Sequence, residues 1–192
     1  MQGVNFKEIM SHTVSNKVLL NTPLGALSFE AKCRTGKLDG STITVHDWKP
    51  SIPNGMSVEG CKVIVFKHTP PESLKDFCFS CEWVDLNITG YGNSGEALDA
   101  WEWESDNKFV LIGTEDSDCL NSRLSIKKEY LPEYYPITMV NNKVSIRIDQ
   151  FTEKKELTLH YVVAWNQLPE SMDNSCWFAV DVPHSKILEM TK

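Results

Sequence analysis

Glu102 and Glu104, in the run "WEWE" at Trp101–Glu104, are the residues of this 192-residue chain whose spacing reaches most directly toward chemistry. On an extended strand, residues i and i+2 share a face and stand roughly 6.5–7 Å apart. At that separation one carboxyl can protonate a glycosidic oxygen while the other activates water. Such pairs usually come from different elements across a cleft, and here further acids crowd the same stretch, so no tuned pair stands out. "CFSC", Cys78 to Cys81, has the spacing of a zinc or redox site. Zinc needs a second pair of ligands, and the nearest helper, His68, stands alone. A redox pair opens a helix, whereas "FCFSCEWVDLNITG" alternates like a strand. "TEDSDC" clusters oxygens but lacks the ligand order and glycine of a calcium loop.

The five histidines (His12, His46, His68, His160, His184) are scattered, and His46 and Asp47 point to opposite faces of one expected strand. There is no Gly-rich phosphate cradle, no G-x-S-x-G elbow and no H-E-x-x-H. No catalytic residue, metal-ligand set or cofactor is therefore assigned, and the chain reads as a non-enzyme. The six cysteines are read as reduced, mostly buried thiols, since the chain lacks a secretory leader. "NIT" at Asn87–Thr89 matches a glycosylation acceptor but means nothing inside a strand without secretion.

Charge carries the clearest signal. Between Glu96 and Asp118 lie eight carboxylates (Glu96, Asp99, Glu102, Glu104, Asp106, Glu115, Asp116 and Asp118) against one base, Lys108. That 23-residue segment holds −7, the formal charge of the whole chain, while the other 169 residues balance 18 acids with 18 bases. A carboxylate run can be a solvated face that keeps a protein soluble. Concentrated like charge also repels itself, and beside aromatic anchors it suits a basic partner, steering the encounter and then burying an indole. Of the six tryptophans, Trp83, Trp165 and Trp177 lie in apolar strands and read as core, and Trp48 ends a strand beside a Pro-rich loop. Trp101 and Trp103, flanked by acids, are the candidate anchors. The candidate partner-binding residues are thus Glu96, Asp99, Trp101, Glu102, Trp103, Glu104, Asp106, Glu115, Asp116 and Asp118. An acidic balance, with pI near 5.2, supplies no basic stripe for nucleic acid.

These residues need elements to hold them, and the elements read as strands. Period-2 alternation marks 25–34, 41–48, 59–68, 76–91, 108–113, 122–127, 136–140, 143–149, 156–165 and 175–182. "SGEALDAWEW" is ambiguous; a short helical turn from Ala97 leading into a strand from Trp101 is preferred. Short helical pieces are also expected at 3–10 and at 127–135, the latter broken by Pro132. "VNNK" predicts a two-residue hairpin, and so does Asp106–Asn107, which would bring Glu102 and Glu104 within a strand spacing or two of the segment's other acids. Short connections leave no room for repeated crossover helices, so most pairing is expected to be antiparallel. About ten strands favour a mainly β sandwich or barrel-like sheet forming one domain over 1–192. No apolar run is long enough to span a bilayer. The opening "MQGVNFKEIMSHTVSNKVLL" has no leader core, which predicts a cytoplasmic protein.

An acidic, β-rich chain without leader or catalytic motif, ending in "LHYVVAWNQLPE" (159–170) and "CWFAVDVP" (176–183), resembles the immunity proteins of bacterial polymorphic-toxin and contact-dependent growth inhibition systems. The resemblance implies a cytoplasmic, non-enzymatic protein that binds one cognate toxin, often a nuclease. A basic partner follows from the acidic segment. The alternative expectation is a β-sandwich carbohydrate-binding module or small glycoside-active enzyme that stacks sugar on Trp101 and Trp103.

Overall fold

The computed structural model describes residues 16–85, 89–94, 98–125, 135–167 and 174–190. Among them are eleven strands and three short helices. Five strands form the first sheet, in the order β1 (Asn16–Thr22), β2 (Gly25–Lys32), β5 (Leu74–Trp83), β10 (Lys143–Phe151) and β9 (Ile137–Val140). Six form the second: β3 (Thr42–Asp47), β4 (Gly60–His68), β11 (Leu157–Gln167), β8 (Lys108–Glu115), β7 (Leu98–Ser105) and β6 (Tyr91–Ser94). Every pairing is antiparallel, as the short connections require. The sheets do not close into a barrel; they stack as a sandwich.

Alternation decides the layers. Phe29, Phe77, Phe79, Phe66, Ile146, Trp103 and Tyr161 point between the sheets and are buried there. The Tyr161 hydroxyl crosses this core to donate to the Phe79 carbonyl of the opposite sheet at 2.9 Å. The other face of the second sheet carries Val63, Val65, Leu111, Val162 and Ala164, closed over by Cys176, Ala179, Val180 and Ile187 of the C-terminal helices. Strand β11 is covered on both faces, and its residues Leu157–Ala164 are buried without interruption.

Two hairpins follow directly from asparagine. Asp106 and Asn107 have φ of 50° and 59°, and Asn141 and Asn142 have φ of 50° and 61°. Paired positive φ is the geometry of the two-residue turn that matches strand twist, and short side chains that bond locally tolerate it.

Four expectations are corrected. The strand expected at 122–127 is replaced through Ser125 by α1 (Ser117–Leu124), because the Asp116 carboxylate caps it, accepting from the amides of Asp118 and Cys119 at 2.7 and 2.8 Å. The strand expected at 175–182 is α2 (Asn174–Val180); its Cys176, Ala179 and Val180 sit at i, i+3 and i+4 on the sheet, a helical stripe that a short apolar run disguises. Strand β7 begins at Leu98, so no helical turn covers 98–100. The expected 76–91 strand ends at Trp83, with β6 a separate element. Two elements were not anticipated: β1, and α3 (His184–Met190), which starts beside Pro183. The helix expected at 3–10 and residues 127–134 of the expected turn lie outside the described residues.

Candidate functional site

The β7–β8 hairpin positions nearly all of the acidic segment. Its register pairs Ser105 with Lys108 beside the turn, Glu104 with Phe109, Glu102 with Leu111, and Leu98 with Glu115 at the far end. A tight antiparallel turn brings together only residues equidistant from it. Glu102 and Glu115 are therefore four residues apart along the ladder, roughly 13 Å at the rise of a strand. This corrects the expectation that the hairpin gathers the acids of "WEWE" and "TEDSDC". It holds them at opposite ends.

At the far end the carboxylates have structural partners. Glu115 is half-buried, its side chain 9% exposed, and takes a two-pronged contact from Arg123 of α1, with Nε to Oε1 at 3.0 Å and the terminal nitrogen to Oε2 at 2.7 Å. Asp116 is the helix cap. Asp99 is half-buried and accepts from the Ser117 hydroxyl at 3.2 Å; burial raises its carboxyl above the usual range. Asp118 lies in the first turn of α1, where the helix dipole favours an anion. Glu96 is outside the described residues.

The tryptophans also divide. Trp103 is fully buried, edge-on to Trp83 with ring centroids 5.6 Å apart, and its Nε1–H donates to Asn142 Oδ1 at 3.3 Å. It is a core residue, and this corrects its assignment as a surface anchor. Trp101 is half-buried, its indole covering Gly92. A flat sugar platform needs two exposed, coplanar rings. With Trp103 inside the sandwich, this pair does not form one. On β5, Cys81 faces the core and Cys78 the opposite side, so the "CFSC" thiols cannot share an ion or a disulfide.

What remains at the turn end is an open surface. Tyr91 on β6 is 71% exposed and lies in register with Glu102 on the same face. Glu104 and Asp106 are exposed, and among the described residues no basic side chain pairs with Glu102, Glu104 or Asp106. Tyrosine is enriched at binding hot spots, its ring apolar and its hydroxyl polar. Sequence reasoning passed over Tyr91 because it read 76–91 as one strand. The turn signal in "GYGNSG" was the available clue.

Sequence reasoning also missed a buried polar cluster. His160 of β11 and His184 of α3 meet Nδ1 to Nδ1 at 3.0 Å, one donating to the other. The Glu115 carboxylate stands 4.0 Å from His184, and Arg123 bridges to the Thr158 carbonyl at 3.1 Å. Burial lowers both imidazoles, His160 to about 3 and His184 to about 4. Both are neutral at pH 7, which lets them share one hydrogen bond and pin α3 to the sheet. Nothing in the local sequence connects residues 24 positions apart. No protein-family model, no curated protein and no solved structure matches this chain.

Proposed function

We propose that the protein is a non-enzymatic inhibitor of the immunity type, acting in the cytoplasm and neutralising a cognate basic toxin domain through the turn-end face of the β6–β7–β8 ribbon. The observation that carries this reading is the exposed Tyr91 ring set in register against Glu102, with Glu104 and Asp106 alongside and unpaired among the described residues. An aromatic residue flanked by uncompensated carboxylates suits a partner that offers cations around an apolar pocket. Charge steers the encounter, and burial of the ring sustains the complex. A nuclease domain is the natural candidate, since its site accepts phosphates and is basic for that reason.

The interface is thereby narrower than the acidic segment. Glu115, Asp116 and Asp99 serve the fold, and Trp103 serves the core. The test is capture of the basic C-terminal domain of a secreted protein encoded beside this gene. Wild-type protein should retain that domain and block its activity. Tyr91→Ala should weaken retention at least ten-fold while the protein stays folded. Retention unaffected by Tyr91→Ala contradicts this placement of the interface.

A further inference from the structure

The second sheet ends, on the side away from Tyr91, at strand β3. The Trp48 amide just beyond it donates to the Cys61 carbonyl of β4 at 3.0 Å. In an antiparallel ladder the bonding direction alternates along the strand. Thr42, Thr44 and His46 therefore bond toward β4, and the N–H and C=O groups of Ile43, Val45 and Asp47 face outward. Among the described residues, no strand pairs with that side of β3.

Proteins usually blunt such an edge with charged side chains, above all lysine, with proline, with a bulge or with short length. The other edge strands follow the rule: β6 and β9 have four residues each, and β1 carries Lys17. Strand β3 reads "TITVHD", six residues of mostly high β-propensity whose one charged residue, Asp47, stands at its end and pairs with Lys62 of β4, and Val45 is 38% exposed. An open groove of about 570 Å³ lined by Val45, His46, Asp47, Trp48, Lys49 and Met190 continues past the strand's end.

We infer that this edge pairs with the β3 edge of a second copy of the chain, antiparallel about a two-fold axis centred on Val45. The register argues for a copy as the occupant. Val45 then meets Val45 of the other copy and exchanges both backbone bonds with it. Ile43 lies opposite Asp47, and Thr44 opposite His46. The exposed apolar side chain meets its own kind, no like charges oppose one another, and all three outward-facing residues find partners. A two-fold contact must be self-complementary in this way. Strand β3 lies at the opposite end of the sheet order from β6, so the dimer leaves both Tyr91 faces open.

Sedimentation equilibrium of the full chain across roughly 1–500 µM should show a monomer–dimer transition, weak because the contact is small. Each copy carries −7, so added salt should strengthen it by screening repulsion. Hydrogen exchange on the wild-type protein supplies a readout that needs no variant. The amides of Ile43, Val45 and Asp47 should gain protection as concentration rises, while those of Thr44 and His46 are protected throughout. Val45→Lys should weaken dimerisation at least ten-fold with an unchanged far-ultraviolet spectrum, and Val140→Lys on β9, an edge strand of the first sheet, should not. A chain monomeric over the whole range, or a dimer unaffected by Val45→Lys, overturns the proposal.

Discussion

Trp103 and Tyr91 sit on neighbouring strands with opposite duties, and single substitutions separate them. Trp103→Ala empties a fully buried site beside Trp83 and should cost about 3–5 kcal/mol in a denaturant melt. Tyr91→Ala should stay within about 0.5 kcal/mol. The histidine pair gives a second prediction. Both imidazoles have depressed values in the fold, so between pH 6.5 and about 4 the unfolded chain binds protons that the folded one does not. Stability should therefore hold above about pH 6.5 and fall as pH drops below it, with a limiting slope of about 1.4 kcal/mol per pH unit for each histidine. Glu115 and Arg123 face the pair, and the range from pH 6.5 to 5 keeps most carboxylate titration out of view. Urea melts at pH 7 and 5.5 read the effect, and His160→Leu/His184→Leu should flatten it. A double variant with the wild-type slope would assign the dependence to other groups. At this scale the sequence identified which residues are charged or aromatic, but not their duties: Asp116 as a cap and Glu115 as the Arg123 partner are set by a helix that forms only in context.

At the scale of elements, the strands legible in advance include those whose environment differs between faces, such as β2 and β10, and the turns legible in advance are those with asparagine. The C-terminal helices were hidden because "CWFAV" is apolar at every position, so its period shows only once a sheet lies beneath it. The end of β5 and the start of β6 were merged because the break between them is marked only by glycine and neighbouring polar residues. Gly90 shows why that break matters: a Cβ there would stand 2.3 Å from the Trp103 ring. Gly90→Ala should force that ring to shift and cost about 1–3 kcal/mol, read by thermal melting with tryptophan fluorescence. Asn142→Ala should also destabilise, since its side chain accepts from both Trp103 and the Gly90 amide. If both variants melt like the wild type, the packing described around Trp103 is wrong.

For the whole molecule, the charge asymmetry that opens the sequence resolves into two populations. One builds the junction of β8 and α1, and the other faces solvent beside Tyr91. The second is the one proposed to act on a partner. Its signature is kinetic, because exposed charges change association rates more than they change the stability of either protein. Salt discriminates between the two contacts proposed: capture of a basic domain weakens as ionic strength rises, whereas pairing of like-charged copies strengthens. The measurement that bears most directly on function is the association rate of the cognate basic domain with the full chain and with Glu102→Lys/Glu104→Lys/Asp106→Lys, across a range of salt. The reversed variant should fold normally, associate roughly ten-fold or more slowly at low salt, and lose most of the wild-type salt dependence. Equal rates and equal salt slopes in the two proteins would show that these carboxylates only solvate the surface, and would contradict the account.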